Sequence, residues 1–111
     1  MAQAHVATAT LGVLRPPGIG PVPYQTLVSV IGRGTLVAIG VADGRNYHYF
    51  RITIDGVSPP LVDDYVCATY GMSANNGISL TAEFRQELRV EVRDNGAGSP
   101  STCYWATWVD W

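Results

Sequence analysis

The residues of this chain that could take part in chemistry are two histidines, two cysteines and a few aspartates. They are His5, His48, Asp55, Asp63, Asp64, Cys67 and Cys103. Catalysis needs a nucleophile, a base and an orienting group within reach, or two carboxylates with well-separated pKa values. The sequence has no Gly-x-Ser-x-Gly, no His-Glu-x-x-His and no phosphate-binding loop. We therefore predict a protein that is not an enzyme, without catalytic residues or a cofactor.

The more suggestive of these residues have simpler interpretations. His48 shares its alternation with Phe50, Ile52 and Ile54, which indicates a histidine in the core or at its rim rather than a general base. The adjacent acids Asp63–Asp64 could bind calcium together with loop carbonyls. Paired acids in a proline-rich loop are more often simply solvated, so we predict no metal site.

The two cysteines do not have the spacing of a metal site. Cys67 and Cys103 both lie in apolar segments with strand-like composition, which predicts reduced, buried thiols. The alternative is a disulfide between two strands, which would fit a particle that functions outside the cell.

The composition argues for burial against a partner and against nucleic acid. Of the 111 residues 47% are hydrophobic and only 14% are charged, below the usual share of about 25%. The chain has no lysine, its seven arginines are dispersed, and its net charge is −2. Phosphate binding requires clustered positive charge, whereas so little charge leaves surface that is neither core nor well solvated.

The sequence also argues against a membrane protein. No apolar run approaches the roughly 18 residues needed to span a bilayer. The first residues lack the basic region and apolar core of a secretory signal. We therefore expect the protein to be made and assembled in the cytosol.

The elements that position these residues are organised around residues 78–93. Every even position there is apolar except Gln86, and every odd position is polar or charged. Side chains of a strand point alternately to opposite faces, so this pattern predicts one buried and one solvated face. Sixteen residues exceed the usual strand length of about 3–10. A bend is therefore expected between Phe84 and Glu87.

The remaining segments also read as strands. They are residues 24–31, 35–42, 47–54, 65–70 and 102–111, separated by turns rich in Gly, Asp, Asn and Pro. Residues 24–31 have apolar side chains on both parities, which predicts burial on both faces. With seven or eight strands and no helix, we predict an all-β fold, an antiparallel, jelly-roll-like β-sandwich over residues 24–111.

Residues 1–23 are predicted to be an extended N-terminal arm. The segment has no periodicity and ends in a proline-rich stretch. Part of it, residues 6–14, could add an edge strand, and the alternative is an unstructured terminus. Val6, Leu11 and Leu14 are apolar anchors that disordered tails usually lack.

Aromatic residues provide further candidates for partner binding. Tyr47, Tyr49 and Arg51 fall on the face opposite Phe50, and the last strand has tryptophan on both faces. Exposed Tyr and Trp are enriched at interfaces, although a loop or the arm could cover them. The candidate partner-binding residues are Val6, Leu11, Leu14, Tyr47, Tyr49, Arg51, Tyr104 and Trp108.

Three segments and the closing aromatic strand together carry a resemblance. Residues 32–44 (GRGTLVAIGVADG), 49–56 (YFRITIDG) and 87–95 (ELRVEVRDN) resemble the small β-sandwich modules of tailed-bacteriophage virions, over about two thirds of the chain. These include capsid decoration (cement) proteins, head-fibre bases and tail adhesin modules. The resemblance implies a structural protein, oligomeric and most often trimeric, that binds a major capsid or tail protein. It also implies location in the virion after assembly in the host cytoplasm.

Two other classes of function remain open. A carbohydrate-binding module could use Tyr47, Tyr49, Tyr104 and Trp108 as stacking platforms for a glycan. A small secreted enzyme or inhibitor is the third possibility, and the absence of a signal sequence argues against it.

Overall fold

A computed structural model describes residues 3–10, 24–42, 45–58, 60–70, 75–94 and 102–111. These residues form strands and turns and no helix, so none of them forms a helix that could cross a membrane. The strands are β1 (Gln3–Thr10), β2 (Gln25–Ile31), β3 (Gly34–Ala42), β4 (Arg45–Ile54), β5 (Val62–Tyr70), β6 (Asn75–Phe84), β7 (Glu87–Asp94) and β8 (Cys103–Asp110).

The eight strands form two four-stranded antiparallel sheets that pack face to face. Sheet A has the order β1-β8-β3-β6, and sheet B has the order β2-β7-β4-β5. The first strand pairs with the last, the second with the seventh, the third with the sixth and the fourth with the fifth. This nested pairing is the topology of a jelly roll. The predicted all-β sandwich is therefore confirmed.

The core lies between the sheets and follows the alternation predicted from the sequence. At even positions, Ala82 and Phe84 of β6 and Leu88 of β7 are buried, while their odd neighbours point outward. His48 is completely buried in line with Phe50, which confirms it as a core histidine. One apolar row per strand, turned toward the other sheet, therefore accounts for most of the core.

Residues 78–93 bend between Phe84 and Glu87, as expected, and the bend connects the two sheets. β6 ends at Phe84 in sheet A, and β7 begins at Glu87 in sheet B. The two-residue turn carries the chain from one sheet to the other, and the apolar parity is the same on both sides. Both halves of the stretch thus face the same core from opposite sheets.

The turn between β6 and β7 is held by Asp55, from the turn that follows β4. Its carboxylate accepts backbone hydrogen bonds from Arg85 (3.0 Å), Gln86 (2.6 Å) and Glu87 (2.9 Å). Asp55 has a φ of 55°, a left-handed conformation that aspartate tolerates better than most residues. The amides of Glu87 and Gln86, which favour the charged carboxylate, lower the pKa of Asp55.

This arrangement predicts a specific acid sensitivity. Because the folded state lowers the pKa of Asp55, its stabilising contribution is present above the unfolded pKa of about 3.9 and is lost as the pH falls through the folded value. Asp55→Asn should destabilise the protein at neutral pH and flatten its stability profile below about pH 4. Urea unfolding across this range measures both effects. If the free energy of unfolding of the variant fell as steeply below pH 4 as that of the wild type, this role of the Asp55 carboxylate would be contradicted.

Two segments differ from expectation. Part of the arm adds an edge strand, as the sequence allowed, but over residues 3–10 rather than 6–14. This strand, β1, pairs with β8 along its whole length, so the sandwich begins well before residue 24. The expectation that residues 24–31 are buried on both faces is wrong. One face of β2 belongs to the outer surface of sheet B, where Thr26 and Ser29 are exposed and Ile31 is 80% exposed. Residues 11–23 of the predicted arm lie outside the described part of the chain.

Candidate functional site

The residues considered for chemistry whose side chains the structure describes lie in separate parts of the sandwich. His48 is hydrogen-bonded through Nδ1 to the Tyr104 hydroxyl (2.8 Å) inside the core. Asp55 stabilises a turn, and Asp63 is exposed on β5. Among the described residues, no three His, Cys, Asp or Glu side chains lie close enough to hold a metal ion. His5 pairs with Asp110 at 2.9 Å near the start of β1.

The cysteine predictions are resolved in part. Cys103 carries a free thiol, so the alternative of a disulfide with Cys67 does not hold. Cys103 is only partly buried, on the outward side of β8, rather than in the core. The side chain of Cys67 lies outside the described residues.

Two of the aromatic residues predicted to bind a partner point toward the core instead of toward solvent. Tyr104 is 0% exposed and packs edge-to-face against Phe50, with ring centroids 6.2 Å apart. Trp108 lies on the same inward side of β8, packs against the core and stacks on His5. The prediction that Tyr104 and Trp108 form an exposed binding or glycan-stacking surface is therefore wrong. Both parities of β8 are aromatic, and the sheet pairing decides which one is buried.

Tyr49 and Arg51 do point outward, onto a charged surface of sheet B. Arg51 makes two hydrogen bonds of 3.0 Å with the Glu91 carboxylate, and these raise the pKa of Arg51. The Arg51 guanidinium also lies 4.1 Å from the ring centre of Tyr24, and that of Arg93 lies 4.2 Å from the ring centre of Tyr49. These cation–π contacts occupy ring faces that a sugar would otherwise stack on.

The remaining predicted residues divide between exposed and undescribed positions. Val6 is 66% exposed on β1 and points away from the core. Leu11, Leu14 and the side chain of Tyr47 lie outside the described residues. Val6 is thus the one apolar anchor of the arm that the structure places, and it lies on the outward surface of sheet A.

That outward surface is notable for its lack of charge, and we call it the neutral face. Its members alternate with the core residues of all four strands of sheet A. They include Ala4, Val6 and Thr8 of β1, Cys103, Trp105, Thr107 and Val109 of β8, Thr35, Val37, Ala38, Gly40 and Ala42 of β3, and Gly77, Ser79 and Thr81 of β6. Among the described residues of this surface, Glu83 at one end of β6 is the only charged side chain.

Trp105 lies across the centre of the neutral face. Its neighbour across the strand is Gly40, and Gly40 pairs in turn with Gly77. A Cβ atom at either glycine would overlap the indole ring. The absence of both side chains lets the ring lie flat across three strands, which keeps the neutral face smooth.

The two outer faces of the sandwich therefore differ in kind. The outer face of sheet B carries Arg51, Glu91 and Arg93 with their ion pairs and cation–π contacts. The neutral face, about 14 Å across its four strands, presents small side chains and one tryptophan. Large exposed surfaces with so little charge are uncommon on monomeric proteins and mark interaction sites. The neutral face is the candidate functional site.

The sequence contains two signals for this face. Gly40 lies inside a predicted strand, where a glycine marks the close approach of another group. Gly77 was predicted to lie in a turn, and the structure places it in β6. The charge-free composition of residues 35–42 and 102–109 points to the same surface. Neither signal reveals which strands are neighbours, so the role of Trp105 could not be assigned.

Comparison with known proteins adds no relative. No protein-family model, curated protein or solved structure matches this chain.

Proposed function

We propose that this protein is a non-enzymatic structural protein of a bacteriophage virion, a capsid decoration protein that binds the particle surface through its neutral face. The observation that carries the proposal is the contrast between the neutral face, with one charged side chain among its described residues, and the ion-paired outer face of sheet B. Monomeric soluble proteins rarely expose so large a surface with so little charge, and such surfaces usually mark interaction sites. A shell protein with an uncharged outer surface is a partner of matching chemistry.

The virion as the setting rests on the resemblance of residues 32–44, 49–56 and 87–95 to phage β-sandwich modules. The jelly-roll topology supports it, because this architecture is frequent in viral capsid proteins, although it also occurs in lectins. A fold alone does not determine function. The neutral face is therefore the main proposed attachment surface, and the arm residues Leu11 and Leu14 are a second proposed attachment to a major capsid or tail protein.

The chemistry of the neutral face determines how the partner is bound. Thr35, Thr107 and Ser79 offer short hydroxyl groups, and Val109 and Trp105 offer apolar area. None of these side chains loses much conformational entropy on contact, and burying them requires no desolvation of charge. A partner surface of small polar and apolar residues fits this face, whereas a strongly charged one does not.

A single charge at the centre of the neutral face tests the proposal. Thr107 lies on β8, an inner strand of sheet A, and points outward between Val6 and Ala38. Thr107→Glu should weaken binding to decoration-free phage particles at least about tenfold, because an unpaired carboxylate would be buried at the interface. Co-sedimentation of the full chain with particles measures the binding.

Thr53→Glu is the matched control. Thr53 also points outward from an inner strand, but on sheet B, where it pairs with Arg89. The same change there should leave particle binding intact. Equal loss in both variants, or a wild-type chain that does not bind particles, would refute the proposal. Binding of the isolated chain on a glycan array, lost in Trp105→Ala, would instead favour a carbohydrate-binding module.

A further inference from the structure

The four edge strands of the sandwich are not equally protected against pairing with another chain. They are β1 and β6 in sheet A and β2 and β5 in sheet B. Proteins protect exposed edges with bulges, charges or prolines, since the free N–H and C=O groups of an edge can pair with any strand. Three of these edges carry such protection.

The protection of β2, β5 and β6 is visible in their pairing. The β2–β7 register shifts between Thr26 and Val28, and the β4–β5 and β3–β6 ladders each contain a comparable irregularity. β5 also carries two acids near its start, and β6 carries Glu83 near its end. An irregular, charged edge is a poor template for an added strand.

β1 has none of these features. All eight of its residues pair with β8 in one unbroken register. Its sequence, QAHVATAT, contains no Asp, Glu, Lys, Arg, Pro or Gly. Among the described residues, no strand pairs with its other edge. It is therefore regular, uncharged and long enough to accept a further strand.

We propose that β1 pairs antiparallel with β1 of a second copy of this chain, which joins two A sheets into one continuous eight-stranded sheet. A two-fold axis perpendicular to the sheet places outward residues opposite outward residues, so the pair is centred on Val6 or on Ala7. In either register, Val6 and Thr8 lie opposite small uncharged side chains.

The choice of a second copy follows from self-complementarity. An isologous pair requires a strand that tolerates its own sequence in reverse, and like charges placed opposite one another would prevent it. The outward residues of β1, such as Ala4, Val6 and Thr8, carry no charge, and the one ionisable side chain, His5, points inward toward Trp108 and Asp110. The proposal goes beyond the proposed function, because the dimer forms whether or not the neutral face binds a particle.

Two pairs of lysines test the proposal with the full chain in solution. Val6→Lys/Thr8→Lys places charge on the outward side of β1, where both residues are exposed. It opposes lysine to lysine whether the pair is centred on Val6 or on Ala7. Ser79→Lys/Thr81→Lys makes the same change on the same face at the other edge of sheet A. Sedimentation equilibrium gives the mass of each protein, and circular dichroism checks that each is folded.

The wild-type chain and the β6 double variant should sediment as dimers, while the β1 double variant should dissociate at least about tenfold more readily, because like charges face each other across the interface. Amide exchange of β1 should slow on dimerisation in the wild type. A wild-type monomer at every concentration, a trimer, or a dimer lost in the β6 variant and kept in the β1 variant would each overturn the proposal. None of these outcomes depends on phage particles.

Discussion

Phe84→Ala is expected to remove about 3–5 kcal/mol from the free energy of unfolding. Phe84 ends β6 with its side chain 0% exposed, and its ring lies directly against Gly34 of the neighbouring strand. The substitution removes the buried ring and leaves a cavity that the two sheets cannot close without separating from their other contacts. Domains of this size have a stability of about 5–15 kcal/mol, so the loss is a large part of the total.

The neighbouring residue supplies the control for this prediction. Glu83 points outward, and its contact with Arg85 is an exposed ion pair of 3.5 Å. Glu83→Ala should therefore change stability by no more than about 0.5 kcal/mol. Urea denaturation of both variants measures the difference. Similar losses for Phe84→Ala and Glu83→Ala would mean that the inward and outward rows of β6 are assigned incorrectly.

Tyr104→Phe is expected to cost about 1–3 kcal/mol, although it removes one oxygen atom and hardly changes the packing. The Tyr104 hydroxyl, on β8 of sheet A, is hydrogen-bonded to His48, on β4 of sheet B. Both side chains are 0% exposed. Removing the hydroxyl leaves His48 Nδ1 in the core without this hydrogen bond, and water cannot replace it there without opening the sandwich.

A double-mutant cycle separates the hydrogen bond from the packing. Tyr104→Phe, His48→Leu and the combined variant are compared by urea unfolding, and we expect a coupling energy of about 0.5–3 kcal/mol. The combined variant should lose less than the sum of the two single changes, since neither polar group is then buried without the other. Additive losses would show that the contact does not contribute to stability.

Much of the fold could be predicted because the information is local. Alternation in residues 78–93 correctly assigned the buried residues Phe84, Leu88 and Val90, and the break at Gln86 marked the turn. The parity of His48 placed it in the core for the same reason. Successive side chains of a strand point to opposite faces. A strand with one polar row and one apolar row therefore identifies its buried face without knowledge of the neighbouring strands.

The surface could not be predicted in the same way. In β8 both the even and the odd positions include aromatic residues. The pattern therefore could not distinguish Tyr104, which is buried, from Trp105, which lies on the outer face over Gly40 and Gly77. The neutral face is assembled from strands that are far apart in sequence, as is the contact of Asp55 with the turn after Phe84.

The sequence by itself thus determined the class of fold, the buried face of the strands that alternate cleanly and the position of the turn between β6 and β7. Only the tertiary structure decided the order of strands, the membership of β1 in sheet A and the exposure of Trp105 rather than Tyr104. The physical reason is that the alternation of polar and apolar residues indicates only which face of a single strand is solvated. Which strands become neighbours depends on the joint packing of two sheets, and no single segment contains that information.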